Sequence, residues 1–279
     1  MNNEVYIALS TDSSYAAYLS TTIFSIKKNR NFSLHYFVYI FYTELSSRKI
    51  NLLKKLSEFK FEISFINIKK QIENCGDILY TKAHYSKEVY YRFFMPEHLK
   101  DKCRYLIYLD SDLVVNCDIS TIMDGIDRRK TINGVINYST QCTAKRITKM
   151  GILFEKYINA GVMVIDCIQF QRHRYKDAAI EFLSQNKNLV CLDQDALNYI
   201  CFKDIGYLDV SWNVQWHNLE NPEHLTPFVR NLVQAIDVPK IIHFTSSEKP
   251  WNNPTKKYSD LFFSYAIGNP IYNDLLNSN

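Results

Sequence analysis

Glycine and proline are scarce, seven of each in 279 residues, so no stretch reads as a flexible or stiff linker. Cys-x-x-Cys pairs are missing. The seven cysteines (Cys75, Cys103, Cys117, Cys142, Cys167, Cys191 and Cys201) are odd in number and dispersed, which argues against a zinc site or a disulfide framework. Several sit in apolar runs and read as small core residues. No run is long and apolar enough to span a bilayer. Met1-Asn2-Asn3-Glu4 lacks the basic start of a secretory signal and enters strand-like sequence at once, so a reducing cytoplasm is the expected setting. A dominant charge is absent too, the formal net charge being +4. The clusters Arg128-Arg129-Lys130, Lys145-Arg146 with Lys149, and Arg172-His173-Arg174 with Lys176 read mainly as solvated surface. A weakly basic face could attract anionic substrates or an anionic membrane surface. Without a long basic stripe or a known binding motif, nucleic acid is not an expected partner.

What the chain does have is aromatic side chains, with 20 Tyr and 17 Phe, more than a core alone would need. Tyr suits polar pockets that also require stacking surface. At 47% hydrophobic and 22% charged residues the composition is that of a globular protein. Patterning predicts strands over residues 5–9, 34–41, 61–68, 103–109, 132–136 and 161–165. Helices are predicted over 15–28 (Ser13 or Ser14 as cap), 46–59, 86–94, 168–184 and 194–202. Repeated strand–helix units imply an α/β fold with a largely parallel sheet and helices on both faces. No repeat or composition break divides the chain, so residues 1–255 read as one domain. Residues 256–279 read as a helical add-on with an aromatic face at Tyr258, Leu261, Phe262 and Tyr265. Lys256-Lys257 beside those aromatics would allow weak peripheral membrane contact, although a packed terminal helix is the plainer reading. Oligomeric state is not legible.

The most informative segment is Tyr105-Leu106-Ile107-Tyr108-Leu109-Asp110-Ser111-Asp112-Leu113-Val114-Val115, an apolar strand interrupted by two aspartates. Ligands of open α/β sheets bind at the carboxyl ends of strands. Side chains two apart on extended backbone face one way, so both carboxylates can converge on a cation. Such hard oxygen ligands suit Mg²⁺ or Mn²⁺, which bridge phosphates. Taken alone, any Asp-x-Asp is better explained as a strand running into an acidic turn.

Four further constellations accompany it. Ser10-Thr11-Asp12-Ser13-Ser14-Tyr15 leaves the first strand; a carboxylate there could accept a uracil N–H with Tyr15 stacked on the ring, or simply cap a helix. Tyr91-Arg92 lies on a mostly apolar helix, so Arg92 needs a buried anion, either a structural carboxylate or a phosphate. Asn159-Ala160-Gly161 and Asp193-Gln194-Asp195 combine small residues with groups that hydrogen-bond sugar hydroxyls, Asp193 also being a candidate helix cap. His243 ends the apolar run Ile241-Ile242, ahead of Glu248-Lys249-Pro250-Trp251. An imidazole there is more often structural, yet it could complete a site begun by two carboxylates, with Lys249 reaching a phosphate.

As an ordered set, from Tyr6 to about Trp251, these residues resemble the retaining bacterial sugar transferases of glycosyltransferase family 8. That family includes lipooligosaccharide galactosyltransferases, lipopolysaccharide glucosyltransferases and, more distantly, glycogenin. The resemblance implies a GT-A-type, Rossmann-like catalytic domain. It implies that Asp12 and Tyr15 hold uracil, that Arg92 contacts the donor hexose, and that Asp110, Asp112 and His243 ligate Mn²⁺, or alternatively Mg²⁺. Lys249 would neutralise the diphosphate, and Asp193 and Gln194 would line the transferred sugar as catalytic residues. Ser10, Ser111, Asn159, Ala160 and Ser246 complete the implied donor site. The implied partners are a UDP-sugar donor, carrying galactose or glucose, and a glycan or glycolipid acceptor of lipopolysaccharide type. Two departures stand out: Ser246 and Ser247 where the family often has Gly after the metal His, and Asn137 at an acceptor-side acidic position. Two alternatives are a haloacid-dehalogenase-type phosphatase with Asp110 as nucleophile and a non-catalytic UDP-sugar-binding protein. The phosphatase motif normally ends the first strand of its core, whereas three strand-like segments precede Asp110 here.

Overall fold

The computed structural model describes residues 3–82, 86–219 and 222–278. Its strands are β1 (Glu4–Ser10), β2 (His35–Tyr42), β3 (Phe61–Asn67), β4 (Tyr105–Leu109), β5 (Leu113–Val115), β6 (Ile132–Ile136), β7 (Ile158–Asp166), β8 (Ile205–Tyr207), β9 (Val214–Gln215) and β10 (Ile241–His243). Helices α1 (Ala16–Asn29), α2 (Ser47–Lys54), α3 (Lys69–Cys75), α4 (Met95–Leu99), α5 (Gln141–Lys149) and α6 (Cys167–Arg172) alternate with them. They are followed by α7 (Tyr175–Gln185), α8 (Leu192–Ile200), α9 (Pro227–Gln234), α10 (Ser259–Gly268) and α11 (Tyr272–Leu276). A seven-stranded sheet runs in the order β3-β2-β1-β4-β7-β6-β8, beside a small sheet β5-β10-β9. Only β7 opposes its neighbours β4 and β6; the other pairings of the large sheet are parallel. The result is the mostly parallel α/β architecture that the alternating pattern predicts.

Because strand side chains alternate, successive residues feed two buried clusters. Ile7, Leu9, Val38, Ile40, Ile107 and Leu109 enter one together with α1, α10 and α11; Ala8, Tyr39, Phe41, Leu106 and Tyr108 enter the other with α6, α7 and α8. Phe262, Ala266, Ile271 and Leu275, all beyond residue 255, belong to the first cluster. No described helix is long and apolar enough to cross a membrane.

The path of the chain around Asp110 and Asp112 is set by buried hydroxyls on α1. Thr22 Oγ1 donates to the Leu113 carbonyl at 2.7 Å and accepts from the Leu113 amide at 3.3 Å, while Ser25 Oγ accepts from the Val115 amide at 2.9 Å. These groups do for β5 what a neighbouring strand would do, since buried backbone groups must find partners.

Several local expectations change. Neither Ser13 nor Ser14 caps α1; its first turn is held by Asp12, whose Oδ1 accepts from the Tyr15 amide at 2.8 Å and from Ser14 Oγ at 2.7 Å. The helix expected over 46–59 ends at Lys54, and Lys60 then adopts a positive φ of 60° before β3. Residues 87–93 form a 3₁₀ helix. The helix expected over 168–184 is two helices, α6 and α7, broken where Arg174 turns left-handed at φ 55°. β7 begins earlier than expected, at Ile158, which places Asn159 and Ala160 on a strand.

Candidate active site

β1, β4, β7, β10 and α8 converge on one cleft of about 610 Å³. It is lined by Ser10, Asp12, Tyr15, Arg92, Asp110, Ser111, Asp112, Asn159, Asp193, Gln194, His243, Ser246 and Lys249, residues spread over more than two hundred positions of sequence. Ala160 stands behind this wall and takes part through its backbone.

At the centre, each of three residues turns one atom toward a shared point. Asp110 Oδ1 is occupied by Arg92 Nη2 at 2.9 Å and the Tyr108 hydroxyl at 2.5 Å, leaving Oδ2 facing His243 Nε2 at 3.6 Å. Asp112 Oδ2 accepts from Lys249 Nζ at 2.5 Å, and its Oδ1 lies 3.3 Å from the same His243 nitrogen. The three inward atoms lie within 4.8 Å of one another. Two carboxylate oxygens and one imidazole nitrogen, each with its other polar atom already engaged, make a donor set that fits a divalent cation such as Mn²⁺. Only glycine allows the approach of β7: a Cβ on Gly161 would fall 2.1 Å from His243 Cε1 and 2.7 Å from Asp110 Oδ2.

Charge is distributed unevenly here. Burial pushes the Asp112 carboxyl up, but Lys249 and His243 outweigh it and hold it well below the usual carboxylate range. For Arg92 burial likewise opposes the charge, and Asp110 and Asp193 overcome it, so the guanidinium stays protonated. Arg92 also donates to the carbonyls of Ala160 at 2.5 Å and Val89 at 2.8 Å, and packs over the Tyr108 ring at 4.6 Å. Its buried anionic partners are the carboxylates of Asp110 and Asp193.

Asp193 is the exception. It sits at the second position of α8, not at its cap, which is Cys191. Arg92 Nε lies 3.0 Å from Asp193 Oδ2, yet the Nε hydrogen points to Val89, so the buried Oδ2 receives no hydrogen bond. Burial, with Asp110 adding to it against the pull of Arg92, lifts this carboxyl to about 7.

Gln194 is held firmly. Its Oε1 accepts from the Ala160 amide at 3.1 Å and Asn159 Nδ2 at 3.2 Å; its Nε2 faces Asn137 Oδ1 at 3.4 Å and the Tyr157 hydroxyl at 3.3 Å. The Tyr157 hydroxyl donates to Asp195 Oδ1 at 2.5 Å. Arg146 clamps both Asp195 oxygens at 2.8 and 2.9 Å, so this member of the basic clusters points inward. Tyr15 meets Trp251 edge-on at 5.9 Å, and Trp251 stacks on Tyr18 at 3.6 Å, which ties the loop bearing Lys249 to α1. Within that loop Ser246 adopts φ 79°, the left-handed turn that glycine would take without strain. Asn213 and Tyr157 belong to this arrangement but carry no motif that marks them in sequence; Tyr108 and Trp251 fall within the marked segments without a role assigned to them there.

Solved structures share the fold. LgtC, a galactosyltransferase crystallised with donor and acceptor sugar analogues, superposes with a TM-score of 0.83 at 21% identity, covering 95% of this chain and 96% of LgtC. The WbbM bifunctional glycosyltransferase superposes at 0.82 with 20% identity, over 99% of this chain and 52% of WbbM. The fold is thus of the GT-A glycosyltransferase type. The family model for glycosyl transferase family 8 matches residues 6–255, and the chain belongs to that family. Curated relatives include general stress protein A of Bacillus subtilis, 28% identical over 96% of this chain and 98% of its own. The lipopolysaccharide 1,2-glucosyltransferase of Escherichia coli is 23% identical over 96% and 79%. Asp110 directly follows β4, the fourth strand of the chain, and this placement together with membership of family 8 stands against the phosphatase alternative.

Proposed function

We propose that the protein transfers a hexose, galactose or glucose, from a UDP-sugar to a glycan or glycolipid acceptor with retention at the anomeric carbon. Relatives named as lipopolysaccharide glucosyl- and galactosyltransferases support an acceptor of that type. The observation that carries the reading is the convergence of Asp110 Oδ2, Asp112 Oδ1 and His243 Nε2 beside the Lys249 ammonium. These three residues would hold Mn²⁺, which when bound would offset charge gathering on the diphosphate. Asp12 and Tyr15 receive the uracil, and Lys249 moves toward the phosphates. Asp193, whose buried Oδ2 receives no hydrogen bond, accepts one from a hydroxyl of the transferred sugar.

Retention usually implies a carboxylate nucleophile beneath the ring. Gln194 stands there in this reading. A neutral carboxamide is a poor nucleophile, and its oxygen already accepts two hydrogen bonds. Same-face substitution follows, in which the anomeric C–O bond breaks, the acceptor oxygen bonds to that carbon, and the departing phosphate oxygen takes the acceptor's proton. Incubation with a panel of UDP-sugars and Mn²⁺ tests the donor through slow hydrolysis. Release of UDP from a UDP-hexose is expected. Turnover of phosphomonoesters alone would overturn the reading, and a trapped glycosyl adduct on Gln194 or Asp193 would overturn the mechanism.

A further inference from the structure

Between Gln194 and His243 runs an unbroken line of buried amides. Asn159 Oδ1 accepts from the Gly161 amide at 3.0 Å, which fixes that oxygen's identity and sends Asn159 Nδ2 to Gln194 Oε1. Asn213 is fully buried at the end of a 3₁₀ turn and must then donate its own amide hydrogen to Asn159 Oδ1, at 2.9 Å. Its Oδ1 is left facing His243 Nδ1 at 3.0 Å. Each orientation dictates the next, because two acceptors or two donors cannot face each other.

We propose that Asn213 is a positioning residue with two duties: it holds the proton of His243 on Nδ1 so that Nε2 faces the carboxylates, and it braces Asn159, one of the residues that hold Gln194. The first duty rests on the metal role given to His243 above; the second rests on geometry alone. A ligating imidazole commonly needs such a partner on its far nitrogen, and losing it typically costs 10–100-fold in metal affinity.

Two substitutions separate the duties. Asn213→Asp keeps an acceptor for Nδ1–H but cannot donate to Asn159, whereas Asn213→Leu loses both. Mn²⁺ binding, read from the free-ion electron paramagnetic resonance signal, is expected to stay within about threefold of wild type in N213D and to weaken about 10–100-fold in N213L. Sugar-nucleotide hydrolysis by N213D should fall about two- to tenfold, the worth of the one hydrogen bond by which Asn213 steadies Asn159 against Gln194 Oε1. A folded N213L with wild-type Mn²⁺ affinity overturns the first duty. Equal losses of Mn²⁺ affinity in both variants assign Asn213 to packing. Unchanged hydrolysis by N213D overturns the second duty. Should a variant fail to fold, two-bond ¹H–¹⁵N correlations of His243 in wild type decide: a protonated Nδ1 is expected, and a bare Nδ1 contradicts the inference. Wild-type protein that binds no Mn²⁺ sinks the metal reading, while the ring-proton position still settles this one.

Discussion

Lys249 is pulled two ways. Its ammonium is nearly buried between Asp112 Oδ2 and the Phe244 carbonyl, both at 2.5 Å, and Asp112 is also one of the three convergent donors. Any cation drawn to Asp112 therefore competes with Lys249 until a diphosphate gives the lysine another anion. Lys249→Met is expected to weaken UDP binding by about tenfold, the loss of roughly 1.4 kcal/mol, while Mn²⁺ alone binds more tightly. Calorimetry of each ligand separately checks both signs, and weaker binding of both would refute the competition. Asp193 makes the second prediction at this scale. Its carboxyl, lifted to about 7 by burial, keeps a proton that the unfolded chain releases near pH 4. Stability therefore drops as pH rises through that window and stays lower above it. Asp193→Asn should raise stability at pH 8 by on the order of 1–3 kcal/mol, leave it unchanged near pH 4, and reduce turnover. Thermal melts at the two pH values read the difference.

The elements that place the acidic pair are β4, whose pattern is plain in sequence, and β5, whose partners are not. Strand β4 was legible because its residues alternate between two apolar clusters and stop at Asp110. Nothing in the sequence announces that Thr22 and Ser25 serve as surrogate strand neighbours, since hydroxyls within a helix more often bond to their own helix. Thr22→Val should leave the Leu113 amide and carbonyl short of partners at a cost of about 1–3 kcal/mol, with a matching loss of turnover. The break at Arg174 was illegible for a related reason: neither Gly nor Pro marks it. Gly161→Ala offers a sharper check on β7. A methyl 2.1 Å from His243 Cε1 must displace the ring, costing about 1–3 kcal/mol and abolishing metal-dependent activity. A stable, fully active G161A would show that His243 need not sit where the structure puts it.

Across the whole molecule, the parts that bear chemistry were the most legible. Asp110, Asp112, His243 and Lys249 recur as an ordered set, and the fold brings them into one cleft. The supporting residues were less so: Asn213 meets His243, and Tyr157 meets Gln194, only through long-range packing, while Tyr108 lies in the acidic-pair segment with nothing to mark its hydroxyl for Asp110. The C-terminal helices fall between these cases. The aromatic face of α10 predicted a packed helix, and Phe262 and Ala266 indeed sit in the same buried cluster as α1, with Asn269 donating to Ser20 Oγ at 2.8 Å. Removing residues 256–279 would strip apolar cover from α1, and the shortened chain is expected to aggregate or melt many degrees lower.

Calorimetric titration with UDP, with and without Mn²⁺, tests the central claim most directly. The account predicts binding that depends on Mn²⁺ and disappears in His243→Ala. Tight UDP binding without any divalent ion, unchanged in that variant, would contradict it.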